Sequence, residues 1–424
     1  MIPHSPIFID GDGDFNIGNG VVAGNGTPEN PYIIENWYIR PENSEGIYIR
    51  NVTFSHFIIR NVYIDGRENK GIILENIFSN NTIEKTTIFN CSIGIKLHCT
   101  NRTFIKDCAI YSCQFGINAY LPPNSWIYKN IIRECENGIY LSGNLFSSHN
   151  VIISENLIQF CNIGIWRGAG VSTSIIYMNQ IEFCDVGILL SSGGYMWSHS
   201  EVYENNIFKN RVGIFGGACQ FCGDNITRNI IAYSQSYGIS LCGYCMFERI
   251  WNNTFWFNNN GGCQAYDEGE YNEWYNGSYG NYWSDWVTPD ENGDGIVDNP
   301  YIIDTKNDSQ YHRVDPYPLA KLPSILIFHE PPLYGEPGTT IDITARVVSQ
   351  EPIVKVCLYY KLTNETTWLM KTMALSQGNA TDGNYTATLE MPLFQAGMDY
   401  YIKAVDCLCL NVSTPIFTIL NFMI

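Results

Sequence analysis

The stretch KNIIRECENGIYL, residues 129–141, is echoed by ENLIQFCNIGIWR at 155–167, MNQIEFCDVGILL at 178–190 and NNIFKNRVGIFG at 205–216. Each copy carries an Asn, then an apolar residue, often a Cys, and then Gly-Ile. The Gly-Ile pair recurs at Gly46, Gly71, Gly94, Gly116, Gly138, Gly164, Gly187, Gly213 and Gly238, spaced by 22 to 26 residues. A period of that size marks a stacked-repeat architecture. Asn, Gly and β-branched Ile are poor helix formers that suit turns and strands. Apolar residues alternate over short runs such as GIYLSG and NVIISENLI, as half-buried strands require. One period supplies three short strands and three turns. The expected fold is therefore all-β: a right-handed parallel β-helix of about nine coils, stacked about 4.8 Å apart.

Stacking places equivalent residues above one another. Cys91, Cys113, Cys135, Cys161 and Cys184 each lie three residues before a Gly-Ile. We expect them to form an internal ladder in which cysteine acts as a small apolar filler. Asn130, Asn156, Asn179 and Asn205 each lie eight residues before a Gly-Ile, and should form an amide ladder in a turn.

A solenoid must cover its open ends. Residues 1–45 differ from the coils and are expected to cap the start, with coils over 46–266. The aromatic stretch YNEWYNGSYGNYWSDW, 271–286, belongs to a closing cap spanning 267–322. From 323 to 424 the pattern changes to seven alternating strands, near 324–329, 339–348, 354–362, 367–375, 384–393, 398–407 and 414–420. They read as an immunoglobulin-like or fibronectin-like sandwich.

Acidic residues outnumber basic ones by 42 to 24, a net charge of −18. No basic patch interrupts that excess, which argues against nucleic acid as a partner. No apolar run reaches the length of a membrane helix, and no leader pattern is visible in the first thirty residues. N-x-S/T sequons begin at Asn25, Asn51, Asn80, Asn90, Asn101, Asn225, Asn252, Asn276, Asn307, Asn364, Asn379, Asn384 and Asn411. Thirteen such glycosylation candidates point to an exported, mature cell-surface chain.

Two stretches suggest metal chemistry. DENGDGIVD, residues 290–298, places oxygen donors at alternate positions: Asp290, Asn292, Asp294, the Ile296 carbonyl and Asp298, with Gly295 for the turn. Calcium takes six to eight such hard oxygens. Tyr301 stands where a helix-pair sensor has its bidentate Glu, so we expect a fastener between last coil and sandwich rather than a switch. Asp285, Asp304 or Asp315 could complete the shell. Asp10, Asp12 and Asp14 form a weaker acidic cluster. The second stretch carries Cys219/Cys222 and Cys242/Cys245. Each pair is displaced by 23 residues, about one coil, so they could form disulfides, hold zinc or copper, or remain thiols. Cys357 is a candidate partner for Cys407 or Cys409, while Cys99, Cys108 and Cys263 have no evident one.

No catalytic set emerges. Glu134, Glu136, Glu155, Glu182, Asp185, Glu201 and Glu204 lie on the coils without an evident pairing, and a glycosidase needs two carboxylates facing one cleft. The histidines, His56, His98, His149 and His199 among them, show no metal spacing.

The N-x-I…C-x-x-GI coils, VVAGNGTPENPYIIENWYI at 21–39 and GNYWSDW…DGIVDNPYIID…DPYPL over 280–319 resemble the parallel β-helix family typified by NosD. That family includes archaeal surface proteins with carbohydrate-binding and sugar-hydrolysis repeats. The resemblance covers about residues 7–320 and implies the β-helix, export and calcium at the exit segment. Three functions follow as expectations. The first is an extracellular structural or adhesion protein, self-associating into a filament or surface layer through the apolar segments MIPHSPIFI and PIFTILNFMI. The second is a glycan-binding or glycan-cleaving protein, with Trp126, Trp166, Trp197, Trp251 and Trp256 as stacking platforms. The third, by family analogy, is a copper-handling protein.

Overall fold

The computed structural model describes residues 1–144, 150–171, 173–191, 199–217, 223–306, 313–332, 334–363, 365–393 and 397–421. It divides into two compact units, Met1–Leu319 and Ala320–Ile424.

The first unit is a right-handed parallel β-helix of three sheets with twelve, eleven and eleven strands among the described residues. The register explains the repeat. Ile72, Ile95, Ile117, Ile139, Ile165, Ile188, Ile214 and Ile239 sit opposite one another on successive coils. All are fully buried, and each such side chain contributes about 1.5–3 kcal/mol of burial. The glycine before each isoleucine answers a close approach. A methyl group on Gly138 would lie 2.4 Å from the carbonyl oxygen of Gly164, one coil on.

Corners are made by single residues in the left-handed region. Lys129, Glu155, Met178, Glu204, Arg228 and Asn252 have φ of 53–58°. The Asn that follows Lys129, Glu155, Met178, Glu204 and Arg228 turns inward. Asn130, Asn156, Asn179 and Asn205 form the expected ladder, which continues through Asn229, Asn253 and Asn281, with Nδ2 to Oδ1 distances of 2.9–3.0 Å. Each of these Oδ1 atoms also accepts the backbone N–H of the preceding coil's asparagine, as Asn156 Oδ1 does from Asn130. The five ladder cysteines are buried. Each thiol donates to the carbonyl two residues earlier. Beyond Cys184 the column continues with Asn210, Ser234 and Asn258; the Cys184 N–H donates to Asn210 Oδ1 and the Ser234 N–H to Asn258 Oδ1.

Parallel stacking starts earlier than residue 46. Ile2–His4 pairs with Trp37–Ile39, and Ile7–Asp10 with Ile47–Val52. Alternation in IFID suffices for a strand without Gly-Ile. At the far end, Tyr282–Trp283 joins a parallel sheet, and an aromatic plug covers the core. Trp283 is fully buried between Phe255 at 4.1 Å and Tyr301 at 3.9 Å, stacked on both. Asp267 accepts from the Trp274 indole at 2.9 Å, and Asp315 from that of Trp283 at 2.9 Å.

The second unit has two mainly antiparallel sheets compatible with a β-sandwich. One holds Leu326–His329, Thr340–Val348, Asp382–Glu390 and Ala374–Gly378; the other is built on Ile353–Leu362 and Met398–Asp406. The single strand expected at 367–375 is two. Leu369–Thr372 pairs in one sheet and Ala374–Gly378 in the other, with buried Met373 at the crossing. The Cys357 pairing fails on register. Cys357 lies opposite Lys403 while Ile353 lies opposite Asp406, which puts Cys407 and Cys409 more than about 13 Å along the sheet, beyond the reach of a disulfide. No helix among the described residues is long and apolar enough to cross a membrane.

Candidate functional site

Three late strands of one sheet, Glu201–Tyr203, Asn225–Thr227 and Arg249–Trp251, share a register that continues to Glu273. Their middle residues, Val202, Ile226 and Ile250, are fully buried, so the flanking residues point outward. Two parallel columns result. One runs Glu201, Asn225, Arg249, Glu273; the other runs Tyr203, Thr227, Trp251, and Tyr275 lies beside its end. Together with Arg228 and Asn276 they line an open groove of about 430 Å³.

The groove is held by its own contacts. Asn225 donates to Glu201 at 2.8 Å. Arg228 donates to Glu204 at 2.9 Å and lies 5.2 Å over the Tyr203 ring. Tyr177 stacks on Tyr203 at 5.2 Å, and Tyr279 packs edge-on against Trp251 at 5.7 Å. Arg249 faces Glu273 at 3.9 Å. Burial, with Tyr177 and Glu204 adding to it, raises the Tyr203 hydroxyl above the ordinary phenol range, so it remains a neutral donor. Glu273, Arg249 and Tyr275 were not singled out in the sequence. A constant step of 24 residues joins 201, 225, 249 and 273, and likewise 203, 227, 251 and 275.

Other candidate platforms separate. Trp126 is exposed and sits by Phe104 and Tyr128. Trp166 packs on Tyr140 at 4.6 Å and donates to Ser191. Trp256 is buried and donates to Tyr233, so it is no platform. Trp197 and His149 lie outside the described residues. The remaining acids mostly pair between neighbouring coils: Glu134 with Ser112, Glu155 with Lys129, Asp185 with Arg211. Buried Glu182 accepts from Gln159 and Gln180.

In the 290–298 loop the oxygens cap the loop itself. Asp290 accepts from Gly293 and Gly295, Asn292 from Asp294, Asp294 from Ile296, and Asp298 from Glu291. The three acids considered for completing a shell are engaged elsewhere. Asp285 accepts from Gln264 and Tyr301, Asp304 from Tyr237, and Asp315 from Asn281 and Trp283. The Asp10–Asp14 cluster also disperses. Asp10 pairs with Arg50. Asp12 is partly buried, yet the N–H groups of Thr53, Ser55 and Phe54 hold it below the ordinary carboxylate range. Among the described residues no three His, Cys, Asp or Glu side chains gather closely enough to hold a metal ion.

Cys219 and Cys222 lie outside the described residues, as do Asn307 and Asn364. The sulfurs of Cys242 and Cys245 are 3.8 Å apart, and Cys245 donates to the Gly217 carbonyl. Of the sequons, Asn25, Asn51, Asn80, Asn276, Asn379 and Asn411 are exposed, while Asn90, Asn101, Asn225, Asn252 and Asn384 are half-buried.

A family profile described as "Periplasmic copper-binding protein (NosD)" matches residues 23–216 and 179–288. A solved alginate lyase from Paenibacillus sp. str. FPU-7 is similar at 12% identity, over 64% of this chain and 99% of that one, with a TM-score of 0.34. A search of curated proteins returns no match. Hydrogen bonding along the cysteine column raises Cys91 and Cys135 above the ordinary thiol range and lowers Cys113 between them. Burial pushes Cys108 up to about 12. Of the described histidines, His98 meets Glu75, His199 the Gly223 carbonyl, and His329 both Thr344 and Tyr400. These residues do not fit a copper site, which needs clustered soft or imidazole ligands. The β-helix, its exit segment and the profile match over more than half its length nonetheless agree: this chain belongs to the NosD family of parallel β-helix proteins.

Proposed function

We propose that the protein is an exported, surface-acting β-helix that binds glycan chains in the groove between Glu201 and Asn276. One observation carries this reading: an outward row of aromatic and hydroxyl side chains, three levels long, runs beside a row of acids, amide and guanidinium four levels long. Trp251 and Tyr275 offer ring surface to the apolar faces of sugars, while Tyr203, with Tyr177 stacked on its ring and Arg228 over it, offers its hydroxyl. Carboxylate, amide and guanidinium groups take the hydroxyls around them. The sequence expectation of adhesion gains a chemical basis here, since an extended face of this kind attaches a surface protein to a polysaccharide.

Binding fits the groove better than hydrolysis. Glu201 and Glu273 are three coils apart, about 14 Å at the strand spacing. A hydrolytic pair of carboxylates stands no more than about 9.5 Å apart. Glu204, the other acid nearby, is turned to Arg228.

We further propose that the 290–298 loop takes a calcium ion, as its hard-oxygen spacing suggests. The ligands would be Asp290, Asn292, Asp294, Asp298 and the Ile296 carbonyl.

The test of the main reading is retention on insoluble polysaccharides, comparing the intact protein with Trp251→Ala. The reading predicts retention that the substitution weakens. Equal retention of both proteins on every polysaccharide would count against it.

A further inference from the structure

Each arginine of the groove faces a carboxylate, Glu201 adds one further negative charge, and the columns advance one coil at a time. From this we infer that its ligand is an uncharged, extended polysaccharide lying along the solenoid axis, one sugar ring per coil. The inference rests on the glycan reading above and narrows it to a substrate class.

Among the described residues lining the groove, the cations are Arg228 and Arg249. Each already faces a carboxylate: Arg228 meets Glu204 at 2.9 Å and Arg249 meets Glu273 at 3.9 Å. Glu201 is matched only by a neutral amide, that of Asn225. A uronate or sulfated sugar would have to displace an existing ion pair, and would bring its own negative charge against Glu201 and Glu273. Like charges brought together at an interface are strongly unfavourable. A neutral sugar meets no such barrier. Its hydroxyls donate to Glu201 and Glu273 and accept from Asn225 and Arg249.

The orientation follows from register. Glu201, Asn225, Arg249 and Glu273 are direct partners on consecutive coils, and so are Tyr203, Thr227 and Trp251. Equivalent positions therefore repeat every 4.8 Å or so along the axis. A chain of equatorially linked pyranoses has a repeat close to that spacing, so successive rings meet successive levels. A helical glucan curves away after one or two. Four levels are present, so added sugars stop contributing after the fourth.

The test is titration calorimetry of the full chain with β-1,4-linked mannose, glucose and N-acetylglucosamine oligomers from disaccharide to hexasaccharide. Maltohexaose and oligogalacturonate of the same length complete the panel. We expect at least one neutral β-1,4 series to bind, its affinity rising to the tetrasaccharide and then levelling. Oligogalacturonate should bind about tenfold more weakly or worse. Trp251→Ala should weaken binding about tenfold. Glu273→Gln, at a side chain 57% exposed and so safe for folding, should also weaken it. Tighter binding of oligogalacturonate or maltohexaose, lost in Trp251→Ala, would overturn the inference and leave the glycan reading standing. No binding by any oligosaccharide, or binding unchanged by both substitutions, would remove both.

Discussion

At the scale of the residue, the fold rests on side chains that satisfy two coils at once. Asn179 shows this. Its Oδ1 accepts from the backbone and the amide of Asn156, and its Nδ2 donates to the Ile153 carbonyl and to Asn205. All of these groups are buried, so an apolar replacement leaves several of them unpaired. Asn179→Ala should cost about 3 kcal/mol, read as a lower midpoint in chemical denaturation. A loss below about 1 kcal/mol would mean the ladder is ornamental rather than structural. The cysteine column differs in kind. Cys135 and its neighbours fill space and donate weakly to carbonyls, and Asn210 or Ser234 takes the same place further along.

At the scale of the element, each coil is legible where it repeats a demand that one residue type meets. Gly before Ile recurs because a Cβ there would strike the next coil's carbonyl, as at Gly138. Asn recurs because both ends of its amide are used. The groove was harder to read. Glu201, Asn225, Arg249 and Glu273 share no single residue type, only a register and a step of 24 residues. An outward position is free to vary, so composition carries no sign of it. The corners were also hidden, because left-handed Lys129, Glu155 and Met178 are not residue types that announce such a conformation. The split at Met373 is not legible in the sequence because alternation continues unbroken while the strand changes sheet. The exit loop offers a test at this scale. If calcium binds at 290–298, Asp294→Ala should lower the melting temperature in calcium and abolish its dependence on chelator. A wild-type melting temperature unmoved by chelator would dismiss the ion.

At the scale of the whole molecule, buried acids set the response to pH. Burial raises Glu182 from 4.5 to about 7, and Asp315 from 3.8 to about 6. Folded protein therefore holds these protons more tightly than the unfolded chain does. The stabilisation they carry is fully present below pH 4 and is lost as pH rises through about 6 to 7. Thermal melts should show stability falling between about pH 4 and pH 7. Glu182→Gln should flatten that fall, and an undiminished slope in the variant would show that Glu182 is not its source. Function at this scale depends on the solenoid presenting equivalent positions on successive coils, which turns scattered residues such as Glu201 and Trp251 into one surface. The most direct measurement is a crystal structure of the intact protein with a neutral β-1,4-linked tetrasaccharide. The account predicts sugar rings beside Tyr203, Thr227, Trp251 and Tyr275, aligned with the solenoid axis. Ordered sugar bound elsewhere, with this groove open at saturating ligand, would contradict it.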